Sequence, residues 1–163
     1  MSVAVDLKRR AFLSGRSSPV SKLRPPWSLA DDQFLTICTQ CDACAKACPE
    51  GIIRAGSGGF PVLDFNQGEC TFCGECASQC EANAIVFDDH YQWPWQAEIS
   101  AGCLNKKNVI CRSCVDECET EAIRFKWIAS GVSIPEIDNS LCSGCGACIG
   151  VCPEKSIVME QKH

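Results

Sequence analysis

The spacing of the cysteines limits what this chain can fold into more than any other feature. Of its 163 residues, 16 are cysteine, and all of them fall into four groups of four. Three groups share the spacing C-x2-C-x2-C-x3-C, and the remaining group has five extra residues in its first gap. The groups are Cys38, Cys41, Cys44 and Cys48; Cys70, Cys73, Cys76 and Cys80; Cys103, Cys111, Cys114 and Cys118; and Cys142, Cys145, Cys148 and Cys152. Because no cysteine is left over, the pattern predicts four related binding sites.

This spacing is typical of cysteines that bind [4Fe-4S] clusters in bacterial ferredoxins, where the fourth cysteine ligates the other cluster of a pair. Pro49 and Pro153 follow the fourth cysteine of the first and last groups, as that pattern prefers. The first three cysteines of a group are expected on a loop around one cluster, and the fourth on the short helix that follows. The sequence therefore predicts up to four [4Fe-4S] clusters, or three if the irregular third group is empty.

The lengths of the gaps between groups predict how the groups pair. There are 21 residues between Cys48 and Cys70 and 23 between Cys118 and Cys142, enough for a turn and a short strand. We therefore pair the first group with the second and the third with the fourth. As a hypothesis, crossed ligation then gives four sets. These are site 1 (Cys38, Cys41, Cys44, Cys80), site 2 (Cys48, Cys70, Cys73, Cys76), site 3 (Cys103, Cys111, Cys114, Cys152) and site 4 (Cys118, Cys142, Cys145, Cys148).

A fourfold repeat extends beyond the cysteines. An isoleucine stands five residues after the fourth cysteine of every group, at Ile53, Ile85, Ile123 and Ile157. Three of the four follow a small residue. The repeat predicts that each isoleucine packs its short helix against the partner group. Chance agreement in a hydrophobic chain is the alternative.

Two other uses of cysteine are less consistent with the sequence. Structural zinc prefers separated cysteine pairs, or pairs completed by histidine, and the chain has only His90 and His163. Disulfides require an oxidising compartment. The segment around Arg9 and Arg10 is similar to a twin-arginine export motif, but the polar residues 14–19 replace the apolar stretch that a working signal needs. We therefore expect a cytoplasmic protein with reduced thiols.

Charge and composition narrow the function further. The formal net charge of −5 argues against a general nucleic-acid binder, and no apolar run is long enough to span a bilayer. Residues 1–24 carry a net +5 and the remainder −10, which is typical of an interaction tail or of a solvated terminus. No phosphate loop, acid–base pair or nucleophile constellation is recognisable. We therefore predict an electron-transfer or accessory protein without catalytic residues.

These features predict an α+β architecture of two tandem bacterial-ferredoxin-like modules, each with short β-hairpins and short helices around a cluster pair. The expected boundaries are a basic, poorly ordered N-terminal arm over 1–30, a first module over 31–88, an aromatic linker over 89–102 and a second module over 103–163. Trp93 and Trp95 in the linker either cover the seam between the modules or form a docking patch.

The order of features resembles the NapF family, the ferredoxin-type accessory proteins of the periplasmic nitrate reductase system. The resemblance runs through Arg9-Arg10-x-Phe-Leu, Arg24-Pro25-Pro26-Trp27, the four cysteine groups and the stretched third group. It implies a cytoplasmic iron–sulfur protein that binds the precursor of the nitrate reductase catalytic subunit. That protein would assist maturation before export, by delivering electrons or assembling the subunit's own cluster. Candidate partner-binding residues are Arg9, Arg10, Phe12, Arg24 and Trp27.

A general polyferredoxin is the alternative to this maturation role. Such a carrier would pass electrons from a cellular redox donor to several enzymes, and it would need no stable complex with one precursor.

Overall fold

The computed structural model describes residues 23–127 and 133–162, and these form the two predicted modules. The first module contains α1 (Asp31–Ile37), α2 (Ala43–Ala47), β1 (Ile53–Ala55), β2 (Pro61–Leu63) and α3 (Glu75–Ser78). The second contains β3 (Trp95–Ile99), α4 (Ser113–Asp116), β4 (Ile123–Trp127), β5 (Ser133–Ile137), α5 (Ala147–Gly150) and β6 (Ile157–Gln161). Short 3-10 turns occupy Ser57–Gly59 and Asn105–Lys107. The α+β architecture of two tandem ferredoxin-like modules is confirmed.

Each long gap between paired cysteine groups folds into an antiparallel hairpin, as the sequence predicts. Strands β1 and β2 pair with Ile53 opposite Leu63, and β4 and β5 pair with Ile123 opposite Ile137. The residue after each hairpin's second strand closes the pair in the same way. The Asp64 N–H donates to the Ile52 carbonyl, and the Asp138 N–H to the Ala122 carbonyl, both at 2.8 Å.

A second antiparallel pairing closes each module and uses residues from before its first cysteine group. In the second module β3 pairs with β6, with Ile99 opposite Ile157. In the first module the equivalent pairing is a single bridge between Ser28 and Ile85. The flanking hydrogen bonds match: Leu29 N–H donates to the Ala84 carbonyl at 3.0 Å, and Ser100 N–H to the Ser156 carbonyl at 2.8 Å.

Because of this pairing, the observed module boundaries differ from those expected from the sequence. Residues 24–30, expected in the arm, pack on the first module, and Pro25 and Pro26 are among its most deeply buried residues. Residues 95–99, expected in the linker, are strand β3 of the second module. The strand that follows the last cysteine of a module needs a hydrogen-bonding partner, and the segment before the first group supplies it.

The four repeated isoleucines are buried, with between 2% and 4% of each side chain exposed. The residue two positions earlier has a positive φ in all four copies: Gly51, Asn83, Glu121 and Lys155. Each donates its N–H to the carbonyl of the fourth cysteine three residues before it. The shared left-handed turn directs the chain from the cysteine back into the core, where all four isoleucines are buried; their packing of the short helix against the partner group stays a prediction.

Aromatic residues fill the seam between the modules. Phe65 and Trp93 are buried, and the Trp93 indole N–H donates to the Gly144 carbonyl at 3.2 Å. Of the two roles considered for the linker aromatics, covering the seam is therefore the one that Trp93 performs. Within the residues described here, no helix is long and apolar enough to cross a membrane.

Candidate metal centres

The cysteines of site 1 line one open cavity of about 390 Å³. Cys38 follows α1, Cys41 and Cys44 lie on the loop and first turn of α2, and Cys80 follows α3. The rest of the wall includes the buried, apolar Phe34 and Ile85. The loop before α2 and the first turn of α2 thus supply three thiols, and the partner group supplies the fourth.

Sites 2 and 3 have the same construction. Site 2 lies in a cavity of about 350 Å³ and site 3 in one of about 330 Å³, and each cavity is lined by its four predicted cysteines. The walls are again largely apolar, with Ile53 and Leu63 at site 2 and Ile99 and Ile157 at site 3. Three cavities of similar size therefore each contain one crossed set of thiols.

The thiols of site 4 are grouped around Cys148. Burial, together with the nearby Cys145, Cys142, Cys114 and Cys118, raises the pKa of the Cys148 thiol to about 12. Three of these four neighbours are the other members of site 4, and Cys114 belongs to the adjacent site 3. The structure therefore brings together all four sets that crossed pairing predicts.

The donor set fits a multi-iron cluster better than a single metal ion. Among the described residues, no three His, Cys, Asp or Glu side chains converge closely enough to hold one ion. The thiols instead surround cavities with apolar walls, and soft thiolate ligands are those that iron–sulfur clusters use. Structural zinc, which needs four ligands converging on one point, does not match this arrangement.

Electrostatics in the sites are dominated by burial. It raises the pKa of Cys44, Cys70 and Cys114 to about 11 and that of Cys76 to about 12. Neighbouring thiolates contribute a smaller part of each increase in pKa, because a negative charge beside a thiol disfavours its ionisation. The thiols are therefore protonated at neutral pH in the absence of metal, and cluster binding must displace those protons.

The exposed Cys41 is an exception. A hydrogen bond from the Ala43 backbone N–H is the main cause that lowers the pKa of this thiol, and the Thr39 side chain adds to it. Cys41 and Cys73 are the two cysteines classed as exposed in the structure, so sites 1 and 2 each have one ligand candidate at the surface.

The irregular third group keeps its geometry through Asn105. This side chain is 5% exposed and bonds the Cys111 backbone in both directions. Its amide Nδ2 donates to the Cys111 carbonyl at 2.5 Å, and its Oδ1 accepts from the Cys111 N–H at 3.2 Å. Sequence reasoning missed Asn105, because it lies inside the five-residue insertion and belongs to no known ligand pattern.

The backbone also distinguishes the third group from the others. In the regular groups the residues on both sides of the second cysteine have a positive φ: Gln40 and Asp42, Phe72 and Gly74, and Gly144 and Gly146. In the third group Arg112 has a φ of −125°. The insertion therefore replaces the usual tight loop, and the Asn105 hydrogen bonds hold Cys111 in place.

Two of the predicted partner-binding residues are part of the core. The Arg24 guanidinium lies 4.4 Å from the Phe34 ring centroid, pairs with Asp31 at 3.0 Å and donates to the Pro61 carbonyl at 3.1 Å. The Trp27 indole N–H donates to the Asp88 carbonyl at 3.0 Å. Both side chains are buried, so the structure gives them a structural role. The other three candidates, Arg9, Arg10 and Phe12, lie outside the described residues.

Comparison with known proteins identifies the domain type. Two sequence models, each described as a 4Fe-4S dicluster domain, match residues 37–85 and 109–156. Together they contain 15 of the 16 cysteines; Cys103 lies outside both, and its place in site 3 depends on the structure. Two dicluster domains correspond to up to four [4Fe-4S] clusters.

Similar proteins cover nearly the whole chain. The ferredoxin-type protein NapF of Escherichia coli is 41% identical over 98% of each chain, and that of Haemophilus influenzae is 39% identical over 94% of each. The methylamine utilization ferredoxin-type protein MauM of Methylophilus methylotrophus is 33% identical over 90% of this chain and 74% of its own.

Proposed function

This chain belongs to the NapF family of ferredoxin-type proteins, and on that premise we propose that it assists maturation of the periplasmic nitrate reductase. In this proposal it binds the catalytic subunit as a precursor in the cytoplasm, before export. It then delivers electrons to that subunit or helps to assemble its iron–sulfur cluster. The observation that carries the proposal is the similarity to NapF over 98% of the chain, since it includes the arm as well as the cysteine groups.

All sixteen cysteines are the proposed cluster ligands, in the four sets of sites 1 to 4. The support is that each set of four thiols shares one neighbourhood in the fold, with three sets around separate cavities. A [4Fe-4S] cluster held by thiolates supplies reversible one-electron transfer. The protein's contribution is to hold the thiols in position and to exclude water with the apolar cavity walls.

The chain's own role is proposed to be electron transfer or delivery rather than catalysis. The three cysteine-lined cavities are bounded mainly by thiols and apolar side chains. Glu50 and Glu69 line the site 2 cavity, and Glu154 lines the site 3 cavity, where its carboxylate forms a surface ion pair with Lys107 at 3.3 Å. Such an environment suits a redox centre, in which no substrate bond has to be made or broken.

A cytoplasmic location is supported by two observations on this sequence. Residues 14–19, after the twin-arginine-like segment, are polar, so the segment lacks the apolar stretch of an export signal. Every cysteine is also accounted for by a proposed cluster site, so that no cysteine is left over for a structural disulfide. The charged segment that contains Arg9, Arg10 and Phe12 is the proposed recognition element, because Arg24 and Trp27 are buried.

Anaerobic affinity capture from nitrate-respiring cells tests this function. We expect the full-length protein to capture the nitrate reductase catalytic subunit with its leader uncleaved. A chain lacking residues 1–22 is the matched control, because it keeps every described residue, including the buried Arg24. We expect this control to keep its clusters and to lose the captured subunit. Failure of the full-length, cluster-loaded protein to capture the precursor would contradict the proposal.

A general electron carrier is the second candidate, and the MauM similarity favours it. The MauM protein of Methylophilus methylotrophus is similar to 90% of this chain and is by its name a ferredoxin-type protein of methylamine utilization. A similar sequence thus occurs with a different pathway. The two candidates differ in kinetics and binding. Rapid reduction of the clusters by a cellular donor, without a stable precursor complex, would favour the carrier.

A further inference from the structure

The two modules meet where site 2 adjoins site 4. The Cys70 N–H donates to the Cys145 carbonyl at 2.8 Å, a hydrogen bond between ligand candidates of different modules. The loops that carry sites 2 and 4 are therefore in direct contact.

The contact between these loops is closely packed. A Cβ on Gly146 would overlap the Phe65 ring, and one on Gly144 would overlap the Trp95 carbonyl and the Trp93 indole. The hydrogen bond from Trp93 to the Gly144 carbonyl is itself buried. Phe65 of the first module and Trp93 of the segment that joins the modules thus pack against the site 4 loop. No room is left for a side chain at Gly144 or Gly146.

Within each module the paired sites also adjoin. Helix α2 carries Cys44 of site 1 just before Cys48 of site 2, and α3 carries Cys76 of site 2 just before Cys80 of site 1. Likewise, α4 carries Cys114 of site 3 just before Cys118 of site 4, and α5 carries Cys148 of site 4 just before Cys152 of site 3. Sites 2 and 4 therefore each have two neighbouring sites.

Sites 1 and 3 each have only one neighbouring site by the same criterion. Among the described residues, the hydrogen bond from Cys70 to Cys145 is the only backbone hydrogen bond that joins a cysteine of one module to a cysteine of the other, and it involves neither site 1 nor site 3. Sites 1 and 3 thus lie at the two ends of a linear series.

We propose that the four sites form one electron path in the spatial order site 1, site 2, site 4, site 3, which crosses between the modules at Cys70 and Cys145. The spatial order differs from the sequence order, because the two inner sites come from the second and fourth cysteine groups. The proposal rests on the clusters that the dicluster domains bind. It does not depend on which protein receives the electrons.

The step that joins the modules is a single electron transfer. With clusters held by Cys48, Cys70, Cys73 and Cys76 at site 2 and by Cys118, Cys142, Cys145 and Cys148 at site 4, one electron would pass from site 2 to site 4, with no bond made or broken and no proton moved. Because electron tunnelling weakens steeply with distance, adjacency of sites 2 and 4 is what allows this step. The path then has one end at site 1, beside the exposed Cys41, and the other at site 3, where Ile110 is 91% exposed. A donor and an acceptor can thus use different modules at the same time.

Electron paramagnetic resonance of the fully reduced holoprotein tests this order. Reduced clusters that are close together broaden or split each other's signals, whereas a cluster without a neighbour gives an isolated signal. Site 3 is removed with Cys111→Ala and Cys114→Ala, and site 4 with Cys142→Ala and Cys148→Ala. Dithionite or a photoreduced deazaflavin serves as the reductant, and iron and sulfide analysis confirms that three clusters remain.

The two variants give different results only if sites 2 and 4 are coupled. Without site 3, we expect no isolated signal, because site 4 still interacts with site 2. Without site 4, we expect an isolated signal equivalent to one cluster, from site 3. An isolated one-cluster signal in both variants would show that the modules are magnetically separate and would overturn the proposed path.

The first module provides an independent version of the comparison. Removal of site 1 with Cys38→Ala and Cys41→Ala should leave no isolated signal. Removal of site 2 with Cys70→Ala and Cys73→Ala should leave one, from site 1. If one module fails to assemble after substitution, the variants of the other module still decide the question. These signals do not depend on nitrate reductase, so failure of the path and failure of the maturation proposal are distinguishable.

Discussion

Asn105 is the single residue on which the irregular third site most depends. Replacing it in Asn105→Ala leaves the N–H and the carbonyl of Cys111 without their side-chain partners. Loss of such buried hydrogen bonds costs about 1–3 kcal/mol. We expect the variant to lose the iron of one cluster when it is incubated with a chelator, while the other three clusters are retained.

The exposed Asn139 provides the matched control for that experiment. Asn139→Ala makes the same chemical change on the surface of the second module, and its iron content should match that of the unsubstituted protein. If Asn105→Ala also kept all of its iron under the same conditions, Asn105 would not hold site 3 together.

Arg24 tests whether a residue predicted to bind a partner is structural. Arg24→Met removes the hydrogen bond to the Pro61 carbonyl and the cation–π contact with Phe34. The ion pair with the half-exposed Asp31 contributes little by itself. We expect a loss of about 1–3 kcal/mol, measured as a lower temperature at which the iron–sulfur absorbance is lost.

The control for Arg24 is another arginine of the first module. Arg54 contacts Gln67 at the surface, so Arg54→Met should leave the temperature of cluster loss nearly unchanged. If Arg24→Met lost its iron–sulfur absorbance at the same temperature as the unsubstituted protein but no longer captured the precursor, Arg24 would have a partner-binding role.

Among single residues, the sequence predicted the cysteine ligand candidates better than the residues that hold the sites and the core in place. Cysteine spacing is set by the chemistry of the cluster, so the four sets are visible without a structure. No such spacing rule applies to Arg24, Trp27 or Asn105. A charged or aromatic residue such as Arg24 or Trp27 suits a core contact and a partner surface equally well. Only the contacts of Arg24 and Trp27 in the folded chain separate these roles.

At the scale of elements, the closing strand of the second module contributes directly to site 3. Ile157 in β6 is 4% exposed and lines the site 3 cavity beside Cys103 and Cys152. Ile157→Ala removes buried carbon atoms and leaves a cavity, which costs about 2–5 kcal/mol. We expect site 3 to release iron to a chelator faster than the other sites do.

The neighbouring strand position is the natural comparison. Val158 is 45% exposed, because alternate residues of a strand point to opposite faces. Val158→Ala should release iron at the rate of the unsubstituted protein. Equal rates for Ile157→Ala and Val158→Ala would mean that β6 does not stabilise the site.

Local elements were predictable from the sequence, and pairings between distant segments were not. The hairpins of β1 with β2 and of β4 with β5 lie within the gaps between cysteine groups, so the gap lengths indicate them. The pairing of β3 with β6 joins Trp95 to Gln161, and neither segment carries a cysteine. Strands β3 and β6 pair because their backbone groups need hydrogen-bonding partners. This need leaves no spacing pattern in the sequence.

At the scale of the whole molecule, cluster assembly should depend on pH. Burial raises the pKa of thiols in all four sites, to about 11 for Cys44 and about 12 for Cys148. These thiols are protonated at neutral pH, so each proton must leave when the thiolate binds iron. The apparent affinity for iron therefore falls as the pH falls.

Reconstitution of the metal-free chain measures this dependence. With ferrous iron and sulfide, cluster formation should increase from about pH 6 to about pH 9 and should release protons into a weakly buffered solution. The competing chelator must be corrected for its own protonation. A cluster yield independent of pH over this range would contradict protonated thiols in the metal-free sites.

The relative placement of the two modules lay beyond what the sequence predicts. Both modules follow from the cysteine groups, but no residue spacing reports the contact between Cys70 and Cys145. The contact depends on Phe65, Trp93 and two glycines that fit only when the modules are docked. Residues of these types are common in protein cores, so only their contacts in the folded chain show that they join the modules.

Four crossed sets of cysteines are proposed to bind four clusters, including one at the irregular site 3. Quantitative iron and acid-labile sulfide analysis of the anaerobically purified protein tests this stoichiometry, alongside the variant Cys111→Ala with Cys114→Ala. We expect iron and sulfide for four clusters in the unsubstituted chain and for three in the variant. Iron for three clusters in both proteins would show that site 3 is empty and would contradict the claim.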